Sequence, residues 1–124
     1  MRILLAEDDP NIATVTQLCL EKIGGHEVVV RHDGEAAFDT ASREPFDLII
    51  LDGMMPKKNG LQVAIELQAS GVVGTPIIFL SAKTEESDIE EFLKVGSGYI
   101  AKPFDPQTIC DQIDKILGKD GSGS

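Results

Sequence analysis

Apolar residues fall along this chain in two alternating rhythms. Short unbroken runs cover residues 3–6, 28–30, 48–51, 77–80 and 99–101. Between them lie longer stretches in which apolar residues recur every three or four positions. A short continuous apolar run closed by turn residues fits a strand buried on both faces. A spacing of three and four fits one face of a helix.

The helical stretches carry their own punctuation. Asp9 is a good N-cap and Pro10 a good first helical residue. Ile12, Val15, Cys19 and Ile23 follow at helical spacing, and Gly24-Gly25 ends the helix. After His32-Asp33-Gly34, a short helix runs through Ala36, Ala37, Thr40 and Ala41 and stops before Pro45. Asn59-Gly60 opens a third, with Leu61, Ala64 and Ile65, and Gly71 closes it. Thr84 caps a fourth that places Ile89, Phe92, Leu93 and Gly96 on one face. Asp105-Pro106 repeats the cap-plus-proline signal, and the last helix is expected to bury Ile109, Ile113, Ile116 and Leu117.

Five strands alternating with five helices predict an α/β fold, a parallel sheet with helices on both faces. The 124 residues fit one domain over 1–118, with 119–124 a flexible tail that reads as a linker stub or an expression scar. No apolar run approaches the roughly 20 residues of a membrane span. Met1-Arg2-Ile3-Leu4-Leu5-Ala6 is too short for a signal peptide, and Glu7-Asp8-Asp9 follows at once. The expectation is a cytoplasmic protein without a membrane partner.

The segment 48–60 organises the candidate chemistry. Leu48-Ile49-Ile50-Leu51 runs directly into Asp52, and the chain then turns through Gly53, Pro56 and Asn59-Gly60. Asp52 therefore sits at the carboxyl end of a central strand, the edge of an open α/β sheet where ligands collect. The other strands end in chemistry too: Glu7 and Asp8 after the first, Ser81 after the fourth, Lys102 after the fifth. In a parallel sheet all of these share one edge.

Three carboxylates there would repel strongly: at an effective dielectric of about 20, each pair about 4 Å apart costs about 4 kcal/mol. They stay ionised only beside a strong cation. Oxygen-only ligands favour a hard ion such as Mg²⁺. Lys102 adds a positive charge and Ser81 a hydrogen-bond donor. Together these groups suit phosphoryl transfer to a carboxylate.

The formal net charge of −10 changes the partner picture. It argues against direct contact with nucleic acid or an anionic membrane and favours a cation or a basic protein surface. Glu85, Glu86, Asp88, Glu90 and Glu91 concentrate that charge on the fourth helix, which reads as a solvated face or part of an output surface. Cys19 and Cys110 lie in separate helices without metal-ligand spacing and read as small apolar residues. His26 and His32 are assigned no role.

From Arg2 to about Leu117 the chain resembles the receiver domain of two-component response regulators, and in length the stand-alone chemotaxis (CheY-like) type. The likeness rests on Glu7-Asp8, on Asp52 with Met55-Pro56 and Gly60, on Ser81-Ala82, and on Lys102-Pro103-Phe104, each after its own strand. It implies a flavodoxin-like (βα)5 three-layer sandwich with strand order 2-1-3-4-5. It also implies that Asp52 accepts a phosphoryl group from the phosphohistidine of a sensor histidine kinase or phosphotransfer protein. By the same resemblance, Asp8, Asp52 and the Met54 carbonyl ligate Mg²⁺, and Glu7 holds it through water. Lys102 and Ser81 contact the phosphoryl group, the Lys102–Pro103 bond is cis, and Ser81 with Tyr99 forms the switch. An output protein would dock on the fourth helix, fifth strand and last helix of a monomer or weak homodimer.

Such a protein catalyses only its own phosphorylation and dephosphorylation and is not otherwise an enzyme. Gly96-Ser97-Gly98 and Lys58 depart from the usual family pattern, and Met54 and Lys83 occupy positions that in the family tune phosphoryl lifetime. Other readings of the same pattern are a phosphorylation-independent pseudo-receiver scaffold or a phosphorelay intermediate. A haloacid-dehalogenase-type phosphatase needs a second Asp where Met54 stands. A flavodoxin-like electron carrier would find Glu7-Asp8-Asp9 repelling the flavin phosphate.

Overall fold

The computed structural model describes residues 1–82 and 86–118. The strands are β1 (Arg2–Ala6), β2 (Glu27–Arg31), β3 (Leu48–Asp52), β4 (Ile77–Ser81) and β5 (Gly98–Ala101). The helices are α1 (Pro10–Lys22), α2 (Gly34–Arg43), α3 (Gly60–Ala69), α4 (Glu86–Val95) and α5 (Ile109–Leu117), the last entered through a 3₁₀ turn at Pro106–Thr108. The expected cap Thr84, together with Lys83, Glu85 and the tail 119–124, lies outside the described residues.

All strand pairs are parallel and the order is β2-β1-β3-β4-β5. Leu5 pairs with Val30 on one side and Ile50 on the other, Ile50 pairs with Ile78, and Ile78 with Gly98. Successive side chains leave a strand on opposite faces, so one five-residue strand feeds two cores. Leu4, Ala6, Ile49, Leu51, Ile77 and Phe79 meet Ala37, Ala41, Val63, Leu67 and Phe92 from α2, α3 and α4. Ile3, Leu5, Leu48, Ile50, Ile78, Leu80 and Ile100 meet Leu20, Ile109, Cys110 and Ile113 from α1 and α5. Every residue of β3 is buried, as its continuous apolar sequence requires. Truncating one of these large side chains to Ala costs about 2–5 kcal/mol.

The helix starts follow the sequence signals. Asp9 accepts hydrogen bonds from the Asn11 and Ile12 amides, and Asp33 from that of Ala36. Asn59 forms a reciprocal capping box with Gln62.

The apolar spacing matches the buried face of α2 at Ala37, Thr40 and Ala41, and on the other helices it matches only in part. On α1 the residues under the sheet are Ala13, Thr16 and Leu20, while Val15 and Ile23 are 44% and 58% exposed. Ala13 and Thr16 are small enough for the helix to lie close to the sheet, Leu20 reaches into the core, and Val15 and Ile23 fall to the flank. On α3 the buried set is Val63, Ala64 and Leu67, and Ile65 turns outward. On α4 Phe92 stacks on Phe79 with ring centroids 4.7 Å apart, and Leu93 faces solvent. On α5 Ile109, Cys110 and Ile113 are buried, whereas Ile116 and Leu117 are half-buried at the edge of the core.

Gly98 has a packing reason. A Cβ there would stand 2.8 Å from Ile116 Cγ2, so the missing side chain lets α5 close on β5. Lys58, where the resembled family favours an apolar residue, places its ammonium 2.6 Å from Glu66 Oε1 and 4.9 Å above the Phe38 ring. Its stem covers apolar surface while its charge is paired.

Candidate active site

The parallel sheet carries the expected residues to one edge. Glu7 and Asp8 follow β1, Asp52 ends β3, Ser81 ends β4 and Lys102 follows β5. Asp52 pairs with Leu80 and Ser81 with Ala101, so the strand ends are in register. The Lys102 amide donates to the Ser81 carbonyl at 2.8 Å, which holds the chain after β5 against β4.

Glu7, Asp8 and Asp52 each present a carboxylate oxygen within 4.8 Å of the others. Glu7 and Asp52 are buried and Asp8 is exposed. Lys102 Nζ lies 2.8 Å from Glu7 Oε1 and 3.0 Å from Asp52 Oδ2. The Met54 amide donates to Asp52 Oδ1 at 3.1 Å, and the Asp9 amide to Glu7 Oε2 at 3.3 Å. The turn after β3 packs tightly: a Cβ on Gly60 would stand 2.4 Å from the Asp52 carbonyl oxygen.

The electrostatics follow from this geometry. Burial, then a hydrogen bond shared with Glu7, pushes the Asp52 carboxyl up from 3.8 to about 6, against the opposing pull of the Met54 amide, Lys102 and Asp8. Burial works against the Lys102 charge, but Glu7 and Asp52 outweigh it and raise its pKa. Three carboxylates thus face one ammonium. An all-oxygen donor set with surplus negative charge fits a hard divalent cation.

Ser81 is fully buried, and its Oγ lies 3.3 Å from where a Gly53 Cβ would stand, beside the turn that follows Asp52. Met54 keeps its side chain 58% exposed while its amide binds Asp52. Tyr99 is not in the acidic cluster. It pairs with Phe79 across β4 and β5 and packs, half-buried, on the core under α2–α4. The Lys102–Pro103 bond is cis, as the resemblance implied.

His32, assigned no role from sequence, touches the site: its Nδ1–H donates to the Glu7 carbonyl oxygen at 3.1 Å. Its position just after β2, the neighbour of β1, was the available signal. Beside Lys102, a cavity of about 450 Å³ opens between α1 and the turn before α5, walled by Ile12, Val15, Phe104 and Pro106.

The model of the response regulator receiver domain matches residues 3–114. The chain belongs to that family. As a receiver domain it is 41% identical over 118 residues to the transcriptional regulatory protein RprY of Bacteroides fragilis. It is 38% identical over 117 residues to the alkaline phosphatase synthesis transcriptional regulatory protein PhoP of Bacillus subtilis. Each alignment takes in 94% of this chain but 49% and 48% of the relative, so the receiver domain spans about half the length of the curated relatives it matches. Among solved structures, the Francisella response regulator 1452 receiver domain superposes with a TM-score of 0.85 at 28% identity, covering 95% of this chain and 97% of that one. The chemotaxis response regulator CheY4 of Vibrio cholerae gives 0.82 at 28% identity, covering 94% and 98%. The flavodoxin-like order of the five strands agrees with these neighbours. No helix among the described residues is long and apolar enough to cross a membrane.

Proposed function

We propose that this receiver domain accepts a phosphoryl group on Asp52 from a phosphohistidine donor, a sensor kinase or phosphotransfer protein, and that the modification switches an output surface. One observation carries the reading: a buried carboxylate at a strand end lies within 4.8 Å of two other carboxylates and 3.0 Å from the ammonium of Lys102.

Glu7, Asp8 and Asp52, with the Met54 carbonyl, are the residues that would hold Mg²⁺. The ion would supply charge neutralisation for the incoming phosphoryl oxygens and lower the repulsion between the carboxylates. Asp52 supplies the attacking oxygen, which forms the new O–P bond as the donor imidazole departs. The Lys102 ammonium is already within hydrogen-bond distance of Asp52 Oδ2 and can pass to a phosphoryl oxygen while keeping Glu7 as its second partner. The Ser81 hydroxyl supplies a further donor for the phosphoryl group. The phosphoryl group later leaves to water, and no outside metabolite is turned over.

The output surface combines α4, β5 and α5. Tyr99 lies on β5, half-buried against the α4 side of the core, and would change its packing when Ser81 is drawn toward a phosphoryl group. Asp88 and Glu91, three apart on α4, put two carboxylates on one face for a basic partner. The relatives are transcriptional regulators of about twice this span. We therefore take the signal to reach transcription through a partner segment rather than through contact between this acidic domain and DNA.

Incubation with a phosphohistidine-bearing kinase domain, with and without Mg²⁺, tests the proposal. Transfer of label to this chain that stops on chelation supports it. A donor that keeps its label across a panel of kinases, together with no labelling by acetyl phosphate, would leave only a phosphorylation-independent scaffold.

A further inference from the structure

The fold brings together two residues that the sequence separates by most of the chain. Cys110 Sγ sits 3.8 Å from the carbonyl oxygen of Cys19. Cys19 is half-buried on α1 and Cys110 buried on α5, and Cys19 packs against the apolar cluster to which Cys110 belongs. A sulfur resting on the other cysteine's own main chain leaves no residue between them. We propose that Cys19 and Cys110 form a reversible disulfide that staples α1 to α5 when the chain meets a small-molecule disulfide such as oxidised glutathione.

The exposure of the pair sets the order of events. Cys19 reaches solvent and reacts first; its thiolate attacks one sulfur of the oxidant, the oxidant's S–S bond breaks, and one small thiolate leaves and takes up a proton. Cys110 then gives its proton to solvent and attacks Sγ of Cys19, expelling the second small thiolate. The protein dithiol loses two electrons and two protons, and the oxidant becomes two thiols. Burial first, then Asp114, Cys19 and Asp111, raises the Cys110 thiol, which suits a resolving group rather than the entry point.

The bridge would matter for two reasons. It closes a loop that holds four of the five strands, so it restricts the unfolded chain. It also joins the two walls of the cavity beside Lys102. Cys19 lies one turn beyond Val15 and Thr16 on one wall, and Cys110 one turn beyond Pro106 on the other.

The test uses the full chain treated with oxidised glutathione, followed by non-reducing peptide mapping and thermal unfolding. The expected product is a monomer lighter by two hydrogens. Its Cys19 and Cys110 peptides are joined, its unfolding midpoint is raised, and dithiothreitol returns both to the starting values. Cys110→Ser should stop at a glutathione adduct on Cys19 with no rise in midpoint. If that variant does not fold, the time course of the wild-type chain decides alone: the Cys19 adduct should appear first and decay into the bridge. A wild-type chain that stays as the adduct, or that links Cys19 to Cys19 of a second copy, would overturn the assignment. So would a bridge that lowers the midpoint.

Discussion

The ammonium of Lys102 stands 3.0 Å from Oδ2 of Asp52, although fifty residues of chain separate the two. The parallel sheet alone makes them neighbours, by ending β3 and β5 at the same edge. Because the same ammonium also lies 2.8 Å from Glu7, it is the counter-charge that lets two buried carboxylates coexist. Lys102→Met should therefore destabilise the domain by about 3–5 kcal/mol at neutral pH, the usual cost of leaving buried charge unpaired. Urea unfolding of wild type and variant measures this, and the loss should shrink when Mg²⁺ is added.

Asp52 stores the opposite effect. Its carboxyl is raised in the folded domain from 3.8 to about 6, so the folded chain holds its proton more tightly than the unfolded one. That contribution to stability is fully present below the unfolded value and is lost as pH rises through about 6; above it the ionised group costs roughly 3 kcal/mol. Asp52→Asn should then make the metal-free domain more stable at pH 7 by roughly 1–3 kcal/mol, and should flatten the decline in stability between pH 4 and 6. Equal stability of the two proteins across that range would contradict a carboxyl raised by burial at Asp52.

The same proton must leave before a cation can enter. Mg²⁺ affinity is expected to climb as pH rises through about 6 and to level off above pH 7, because the raised carboxyl of Asp52 titrates in that window. Calorimetric titration at a series of pH values reads this directly. Asp8→Ala should abolish the binding at every pH, since Asp8 is one of only three carboxylates in the described cluster.

Gly60→Ala tests the turn that aims Asp52. The added Cβ would stand 2.4 Å from the Asp52 carbonyl oxygen, a backbone atom that cannot rotate aside. A loss of about 1–3 kcal/mol is expected from overpacking. A weaker Mg²⁺ affinity should accompany it, because the strand end and the turn move together. Unfolding and titration of the same preparation separate the two effects.

The strands and the acidic edge were legible in the sequence because each depends on local signals, whereas the strand order came only from the family resemblance. Continuous apolar runs marked the strands, and the chemistry sits immediately after them. The helices were harder. Apolar spacing on α1 pointed to Ile12, Val15, Cys19 and Ile23, yet Ala13, Thr16 and Leu20 are the buried face, because a parallel set at the same three-and-four spacing, two of its members small, is the one turned to the sheet. On α3 and α4 large residues, Leu67 and Phe92, take the buried face, and Ile65 and Leu93 fall outside it. Contacts that depend on chain reversal left no local trace: His32 on the Glu7 carbonyl and Cys110 on Cys19 appear only once the strands are ordered. Tyr99 lay on the predicted strand, but its half-buried packing is a property of β4 and the α2–α4 layer together.

The central claim is that Asp52 carries the phosphoryl group, and the site of covalent labelling tests it most directly. Wild-type chain incubated with acetyl phosphate and Mg²⁺, then reduced with borohydride to trap the acyl phosphate, should yield a single modified peptide with homoserine in place of Asp52. Asp52→Asn should yield none. Trapped label at any other carboxylate in the wild-type chain, or undiminished labelling of the variant, would contradict the account.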